Sequence, residues 1–177
     1  MDKFLPGIHL LPKRARASIG WGLAVLVLTI SIVPIIALAS MGPACGGGYP
    51  DKWCQAKLDT IVDDWGMYNR ECVSYTAYKV ASSGRTMPYG FGHANMWPDA
   101  ARANGITVDG QPRVGDVAII PDGEFGHSMY VEAVHNDGTI SVSQYNKAKT
   151  GTYSQERLAS TGMVFIHFYA NVQPRRA

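Results

Sequence analysis

One stretch of the sequence constrains the fold of the whole chain: Ile19 to Ala39 contains no charged residue. About 20 apolar residues span a bilayer as a helix, whereas a helix on the surface of a soluble core keeps a polar face. The first 17 residues carry four basic side chains and one acidic side chain, and such a basic cluster stays on the cytoplasmic side. The sequence therefore predicts a cytoplasmic segment at 1–17, a transmembrane anchor at 18–40 and an exported remainder.

A cleaved signal peptide is the alternative to an anchor. Ala37-Leu38-Ala39 has the small-residue pattern of a signal-peptidase site. The apolar stretch is longer than the 7–15 apolar residues of a typical signal peptide, which favours the anchor. Both interpretations export the domain. It lies at the outer face of the cell membrane, or is secreted if the chain is cut after Ala39.

The charge of the exported part excludes one class of partner. Residues 18–177 hold 12 basic and 13 acidic side chains, so no basic surface is predicted and nucleic acid is excluded as a partner. We expect a flexible linker at 41–46, one monomeric domain at 47–170 and a polar tail at 171–177.

The first half of this domain has helical patterns and the second half has strand patterns. We predict a helix within Trp53–Met67, a helix with Asn69 as its N-cap, Cys72 in its first turn and Gly84 as its stop after Ser83, and a helix at Pro98–Ala103. Six short segments rich in β-branched and aromatic residues follow, separated by turns: Ile106–Val108, Val117–Ile120, His127–Val134, Thr139–Tyr145, Tyr153–Arg157 and Val164–Phe168. This order predicts an α+β domain with an antiparallel sheet.

Cys72 is the candidate nucleophile. Unpaired N–H groups and the helix dipole favour a thiolate in the first turn of a helix; the alternative is a small buried side chain. Cys45 and Cys54 can form a disulfide in an oxidising compartment, and the sequence leaves this open. The three cysteines lack the paired spacings of a zinc site.

The hairpin His127 to Asn146 can supply a base. Side chains alternate along a strand, so an even number of loop residues places Gln144 and Asn146 on the face of His127, whereas an odd number places them on the other face. The first case puts an orienting amide beside an imidazole.

The order and spacing of six short motifs resemble CHAP domains (cysteine, histidine-dependent amidohydrolase/peptidase). The motifs are Arg-Glu-Cys-Val-Ser-Tyr at 70–75, Asn-Met-Trp at 95–97, Pro-Arg-Val-Gly-Asp-Val-Ala at 112–118, Gly126-His127 with Tyr130-Val131-Glu132, Asp-Gly-Thr-Ile at 137–140, and Ser-Gln-Tyr-Asn at 143–146.

The resemblance implies a papain-like (NlpC-type) α+β fold and cleavage of amide bonds in peptidoglycan. Carried over to this chain, it makes Cys72 the nucleophile, His127 the general base, and Gln144 with Asn146 the polar groups behind the histidine. The cut bond would be that of an N-acetylmuramoyl-L-alanine amidase or of a peptide endopeptidase. The Cys72 N–H would be one donor to the oxyanion.

This chain departs from the family at Gln144, where many members have Glu. A carboxylate stabilises an imidazolium, whereas a carboxamide only orients the ring. The acidic calcium loop of some members is not recognisable, because Asp59, Asp63 and Asp64 are spaced differently. We therefore expect no metal and no cofactor.

Two other functions remain open at this point. One is a wall-binding module without catalysis, and the other is a cysteine amidase that acts on a substrate other than the wall. Four aromatic side chains are candidates for a substrate groove: Trp65, Tyr68, Tyr89 and Trp97.

Overall fold

A computed structural model of the chain describes residues 45–168. Within them the helices are α1 (Asp51–Cys54), α2 (Cys72–Ser82) and α3 (Trp97–Ala103), with a 3-10 turn at Ala94–Met96 before α3. The strands are β1 (Thr107–Asp109), β2 (Val117–Ile120), β3 (His127–Val134), β4 (Thr139–Tyr145), β5 (Tyr153–Ala159) and β6 (Val164–His167). The six predicted strands are confirmed to within two residues at each end.

The strands form one sheet in the order β1-β6-β2-β3-β4-β5, and every neighbouring pair is antiparallel. This confirms the predicted antiparallel α+β architecture. In this order β3 lies in the middle of the sheet and β5 lies at one edge. The sheet therefore presents the first residue of β3, His127, next to β4.

Helix α2 packs on one face of this sheet. Val73, Ala77 and Val80 of the helix bury themselves against Val117 and Ile119, at the three- and four-residue spacing of a helix face. The helix ends as predicted, because Gly84 follows Ser83 with φ +79°. A second apolar cluster, with Met129 and Val131 among its members, lies on the alternate positions of the strands.

The helix predicted within Trp53–Met67 does not form beyond Cys54. Two buried side chains hold the chain in turns instead, because Asp63 Oδ1 accepts from the N–H groups of Trp65 and Met67, and Asn69 Oδ1 accepts from two further N–H groups. Side chains of this kind compete with helical hydrogen bonds. Asn69 is consequently not the N-cap of α2; that position belongs to Glu71.

The start of the described chain is tied to the domain. Cys45 and Cys54 form a disulfide, and the Gly46 N–H donates to Tyr145 Oη at 3.1 Å. The disulfide is the pairing that the sequence left open. The linker predicted at 41–46 therefore has its last two residues in contact with the domain, and the boundary at 46/47 stays a prediction.

The predicted cytoplasmic segment at 1–17, anchor at 18–40 and tail at 171–177 lie outside the described residues. Between residues 45 and 168 the structure contains no helix that is both long enough and apolar enough to cross a membrane.

Candidate active site

Cys72 is the first residue of α2, and the residues before it set its position. Arg70 adopts φ +66°, a left-handed conformation that is strained for a residue other than glycine. Its guanidinium holds it there: Nε donates to Gly151 O at 2.9 Å and Nη1 to Ala56 O at 3.1 Å. Glu71 then extends the chain as N-cap. Contacts with two loops distant in sequence thus fix the turn that places Cys72 at the start of α2.

The Cys72 thiol lies against Ser128 of β3. Ser128 is fully buried, and its Oγ is 3.0 Å from Thr76 Oγ1, which donates its own proton to the Cys72 carbonyl at 2.7 Å. Burial raises the pKa of Cys72; the backbone and hydroxyl of Ser128 oppose that rise, and Glu71 adds to it. The resting residue is therefore a neutral thiol. The helix dipole predicted a thiolate, but the loss of hydration outweighs it.

His127 begins β3, and Gln144 fixes its ring. His127 Nε2 is 2.7 Å from Gln144 Oε1, and Gln144 Nε2 is 3.2 Å from Glu156 Oε2. Because a carboxylate only accepts, the amide turns its NH2 group to Glu156 and its carbonyl to His127. The ring must then donate from Nε2, which leaves the lone pair on Nδ1. A neutral histidine in this tautomer can accept a proton only at Nδ1.

The charge state of His127 is set by burial and by an ion pair beside the ring. Burial lowers the pKa of His127, the hydrogen bond with Gln144 raises it, and Lys147 lowers it while Glu156 raises it. Lys147 and Glu156 form an ion pair with each other, and their opposite charges have opposite effects on the pKa of the ring. The net result is a neutral imidazole at pH 7, which is the protonation state of a general base.

The β3–β4 hairpin reaches this arrangement through a β-bulge. Next to the turn, Val134 pairs with Ile140, and that register, if continued, would put Gln144 on the face opposite His127. Glu132 is skipped in the pairing, which shifts the register by one residue and restores the shared face. The structure therefore puts Gln144 on the face of His127 through a bulge, with an odd number of loop residues, and not through the even loop that the alternation argument required.

Asn146 lies in a different part of the site. It adopts φ +58°, its Oδ1 accepts from Gly151 N at 2.7 Å, and its Nδ2 donates to Glu71 Oε1 at 2.8 Å. Among the hydrogen bonds of residues 45–168, none joins Asn146 to the His127 ring. The structure brings Gln144 and not Asn146 to the histidine, because β4 has ended and the left-handed Asn146 turns out of the sheet.

Strand alternation points the side chains of His127 and Ser128 to different faces of β3. Ser128 faces α2 and the Cys72 thiol, so the adjacent His127 projects from the face that carries Met129. Within the described residues no hydrogen bond joins the Cys72 sulfur to the His127 ring. Both groups lie at the same end of β3, because the thiol lies against Ser128 and the ring belongs to the residue before it.

The four predicted groove aromatics divide into two pairs. Trp97 is fully buried in the core, and Trp65 is partly buried against it. Tyr68 and Tyr89 are 56% and 75% exposed. Of the four, these two are the exposed candidates for contact with a substrate.

Sequence reasoning overlooks an aromatic pair that lies directly before the base. The rings of His93 and Phe125 are 4.6 Å apart, and Phe125 is half exposed. Asn95 N donates to Phe125 O at 3.0 Å, and a Cβ on Gly126 would lie only 2.7 Å from that nitrogen. The loop that leads into His127 is therefore docked closely on residues 93–96. The position of Phe125 directly before Gly126-His127 was the sequence signal that could have identified it as part of the site.

Ser128 and Glu156 are the other two residues that sequence reasoning misses. Alternation along β3 puts Ser128 on the face of the sheet opposite to His127, which is the face that α2 covers, and this signal was sufficient to find it. Glu156 is different, because it pairs with Val142 across a loop of seven residues that leaves the β4–β5 register undetermined by sequence. Between residues 45 and 168 no three His, Cys, Asp or Glu side chains cluster in a way that could hold a metal ion.

Comparison with known proteins places these residues in a family. The family model described as CHAP domain matches residues 62–146, which include Cys72, His127, Gln144 and Asn146. Over 82 residues the chain is 39% identical to N-acetylmuramoyl-L-alanine amidase sle1 of Staphylococcus aureus strain USA300, and equally so to that of strain NCTC 8325. The match covers 46% of this chain and 23% of the amidase, so the chain spans about a quarter of the length of these relatives.

The fold is also similar to a solved structure. A crystal structure of N-acetylmuramoyl-L-alanine amidase from Staphylococcus aureus superposes with a TM-score of 0.56 at 21% identity, over 68% of this chain and 37% of that one. This similarity concerns the fold alone. Together with the family match and the order of the sequence motifs, it leads to one conclusion: this chain carries a CHAP domain, at residues 62–146.

Proposed function

We propose that the chain is a peptidoglycan hydrolase that cleaves amide bonds by a Cys-His thiol mechanism. The observation that carries the proposal is the neutral His127, which Gln144 orients so that Nδ1 holds the lone pair, next in sequence to Ser128, the residue against which the Cys72 thiol lies. The similarity to an N-acetylmuramoyl-L-alanine amidase supports the substrate class. The packing of α2 on an antiparallel sheet is a papain-like arrangement, which is consistent with the thiol mechanism and with the substrate class.

In this mechanism His127 Nδ1 takes the proton of the Cys72 thiol as the sulfur attacks a peptide carbonyl. The imidazolium then protonates the departing amine, and the same ring activates a water that hydrolyses the thioester. The resting structure has both groups neutral, so proton transfer accompanies attack. Catalytic hydrogen bonds of a free enzyme are often long and tighten when substrate is bound, and we infer that the Cys72–His127 contact forms in this way.

The oxyanion is the second requirement of the reaction. The Cys72 N–H lies at a helix start, where backbone donors lack intrahelical partners. Burial raises the pKa of Glu71, while Asn146 and the Cys72 N–H oppose that rise. We infer that Asn146 holds the Glu71 carboxylate beside this donor, so the oxyanion competes with Glu71 for the N–H.

The direct test is digestion of purified peptidoglycan by the full chain, with released fragments identified by mass spectrometry. The wild type is expected to release fragments, and Cys72→Ala and His127→Gln are expected to release none while they keep the wild-type melting temperature. His135→Gln is the matched control, because His135 lies on the same hairpin and its ring is hydrogen-bonded to Ser141 rather than to a residue of the site. Full activity of Cys72→Ala would refute the proposal.

The fragments also identify the bond. Free lactoyl-linked sugar ends would mean an amidase, whereas new amino termini within peptides would mean an endopeptidase. Cleavage of casein but not of wall would assign the enzyme to another substrate.

A wall-binding module without catalysis is the second candidate, and the buried neutral thiol is the observation that favours it. It predicts that the wall sediments both wild type and Cys72→Ala and that neither releases fragments. Products from the wild type alone would exclude this candidate.

We further propose that residues 18–40 anchor the domain on the outer face of the cell membrane, with residues 1–17 in the cytoplasm, and that the domain is monomeric. The uncharged stretch at 19–39 and the Cys45–Cys54 disulfide support an exported domain. Protease added to intact spheroplasts should degrade the domain while it cofractionates with membranes. A mature N-terminus at residue 40 would replace the anchor with a cleaved signal peptide.

A further inference from the structure

We propose that Glu156 is a positioning residue of this site: it fixes the orientation of the Gln144 amide and, through it, the tautomer of His127. The inference rests on the proposed role of His127 as general base. It assigns to the pair Gln144 and Glu156 the task that a single carboxylate performs in many CHAP domains.

A carboxamide behind a catalytic histidine has an inherent ambiguity. Its two ends are nearly equal in size, but one accepts and the other donates. If Gln144 turned its NH2 group to His127, Nε2 would have to accept, and the ring proton would move to Nδ1. Nδ1 would then be unable to take the proton of Cys72, and an amide that imposes the wrong tautomer abolishes most of the activity of such a site.

Glu156 removes this ambiguity. Its Oε2 is 3.2 Å from Gln144 Nε2, and a carboxylate offers no proton to a flipped amide. Two oxygens would then face each other without a hydrogen. Gln144 is fully buried, so bulk water cannot satisfy a flipped amide, and the cost of an unpaired buried group keeps the amide in one orientation.

The position of Glu156 is itself fixed from two directions. Strand β5 pairs Glu156 with Val142 and Ser154 with Gln144, which puts Glu156 diagonally across from Gln144 on the same face. Lys147 pairs with the same carboxylate oxygen and keeps it ionised, since that ion pair lowers the pKa of Glu156. The charged groups that act on the ring, Lys147 and Glu156, are thus both held at this corner of the sheet.

The tautomer can be measured without any substrate. Nitrogen-15 spectra of the full chain, labelled at histidine and kept in a mild detergent, distinguish protonated from bare ring nitrogens, and His127→Gln assigns the signals. Wild type is expected to show Nε2–H only. Glu156→Gln is expected to add the Nδ1–H form, because a glutamine at 156 can face either end of the Gln144 amide. An unchanged tautomer in Glu156→Gln would overturn the inference.

The matched control is Arg157→Gln. It removes one exposed ion pair from the same edge strand, since Arg157 pairs with Asp137, and it is expected to leave the His127 tautomer and the activity unchanged. A control that altered the tautomer as Glu156→Gln does would show that the effect comes from weakening β5, and would also overturn the inference.

Activity supplies a second test through an exchange of the two side chains. Glu156→Gln is expected to lower kcat by roughly 10- to 100-fold with little change in KM. The double variant Gln144→Glu/Glu156→Gln is expected to recover most of this loss, because it places a carboxylate directly on His127. Gln144→Glu alone should stay below the double variant, since it sets two carboxylates side by side.

A double variant no more active than Glu156→Gln would overturn the inference. If wild type does not cleave wall at all, the proposed function fails, and the tautomer measurement still decides the role of Glu156.

Discussion

The reactivity of Cys72 tests how burial and the helix dipole compete at this site. Cys72 is 8% exposed, and burial raises the pKa of its thiol in spite of its place at the start of α2. We expect iodoacetamide to alkylate Cys72 slowly at neutral pH and faster as the pH rises, because only the thiolate is the nucleophile. The Cys45–Cys54 disulfide leaves Cys72 as the single free cysteine, so intact-mass spectrometry counts one adduct.

The magnitude follows from the fraction of thiolate. A free cysteine with a pKa near ~8.5 is only a few per cent ionised at pH 7, and Cys72 must lie below that fraction because its pKa is raised. The rate constant should therefore rise about tenfold for each pH unit between about 6 and 8.5, without a plateau. Restricted access slows the reaction equally at every pH, so the shape of the profile carries the information.

Two variants should move this profile in opposite directions. The Glu71 carboxylate raises the pKa of Cys72, and Ser128 lowers it; Glu71→Gln is therefore expected to shift the profile to lower pH and Ser128→Ala to higher pH. A wild-type rate that is already at its plateau below pH 7 would reveal a thiolate–imidazolium pair and refute this reasoning. Shifts of the same sign in both variants would contradict the assignment of their causes.

Three further predictions concern stability, each measured by urea denaturation of the full chain. Replacing Cys45 and Cys54 by serine should lower the free energy of unfolding by about 2–3 kcal/mol, the loop-closure value for a separation of 9 residues; an unchanged midpoint would contradict it. Arg70→Ala and the charge-preserving Arg70→Lys should both lose about 2–4 kcal/mol, because lysine lacks the planar fork that reaches several carbonyl oxygens; a stable lysine variant would show that charge alone suffices. His167→Leu removes the ring nitrogen 2.9 Å from buried Asp116, which keeps the Arg113 N–H, and should cost about 1–3 kcal/mol at pH 7. Burial raises the pKa of Asp116, so the folded variant retains a proton that the unfolded chain releases above about pH 4, and the loss should be smaller at pH 4 than at pH 7.

Local patterns were sufficient to predict most of the sheet. The strands from Val117 to Phe168 are short runs of β-branched and aromatic residues that alternate between turns, and such runs have few alternative structures. The same approach failed between Trp53 and Met67. Apolar residues there have helical spacing, yet buried Asp63 and Asn69 take the backbone N–H groups for turns. A side chain that accepts from backbone N–H groups in turns is invisible to a periodicity argument.

The residues of the site and their order along the chain could be predicted from the sequence, because helix-start and strand patterns at Cys72 and His127 are local properties of the chain. Tertiary structure decided which groups meet. The bulge at Glu132 put Gln144 on the face of His127, and the pairing of β4 with β5 brought Glu156 to the amide. Tertiary structure also decided the ionisation of Cys72. The hydration that a thiolate loses depends on all the groups packed around it, and a local sequence pattern does not contain this information.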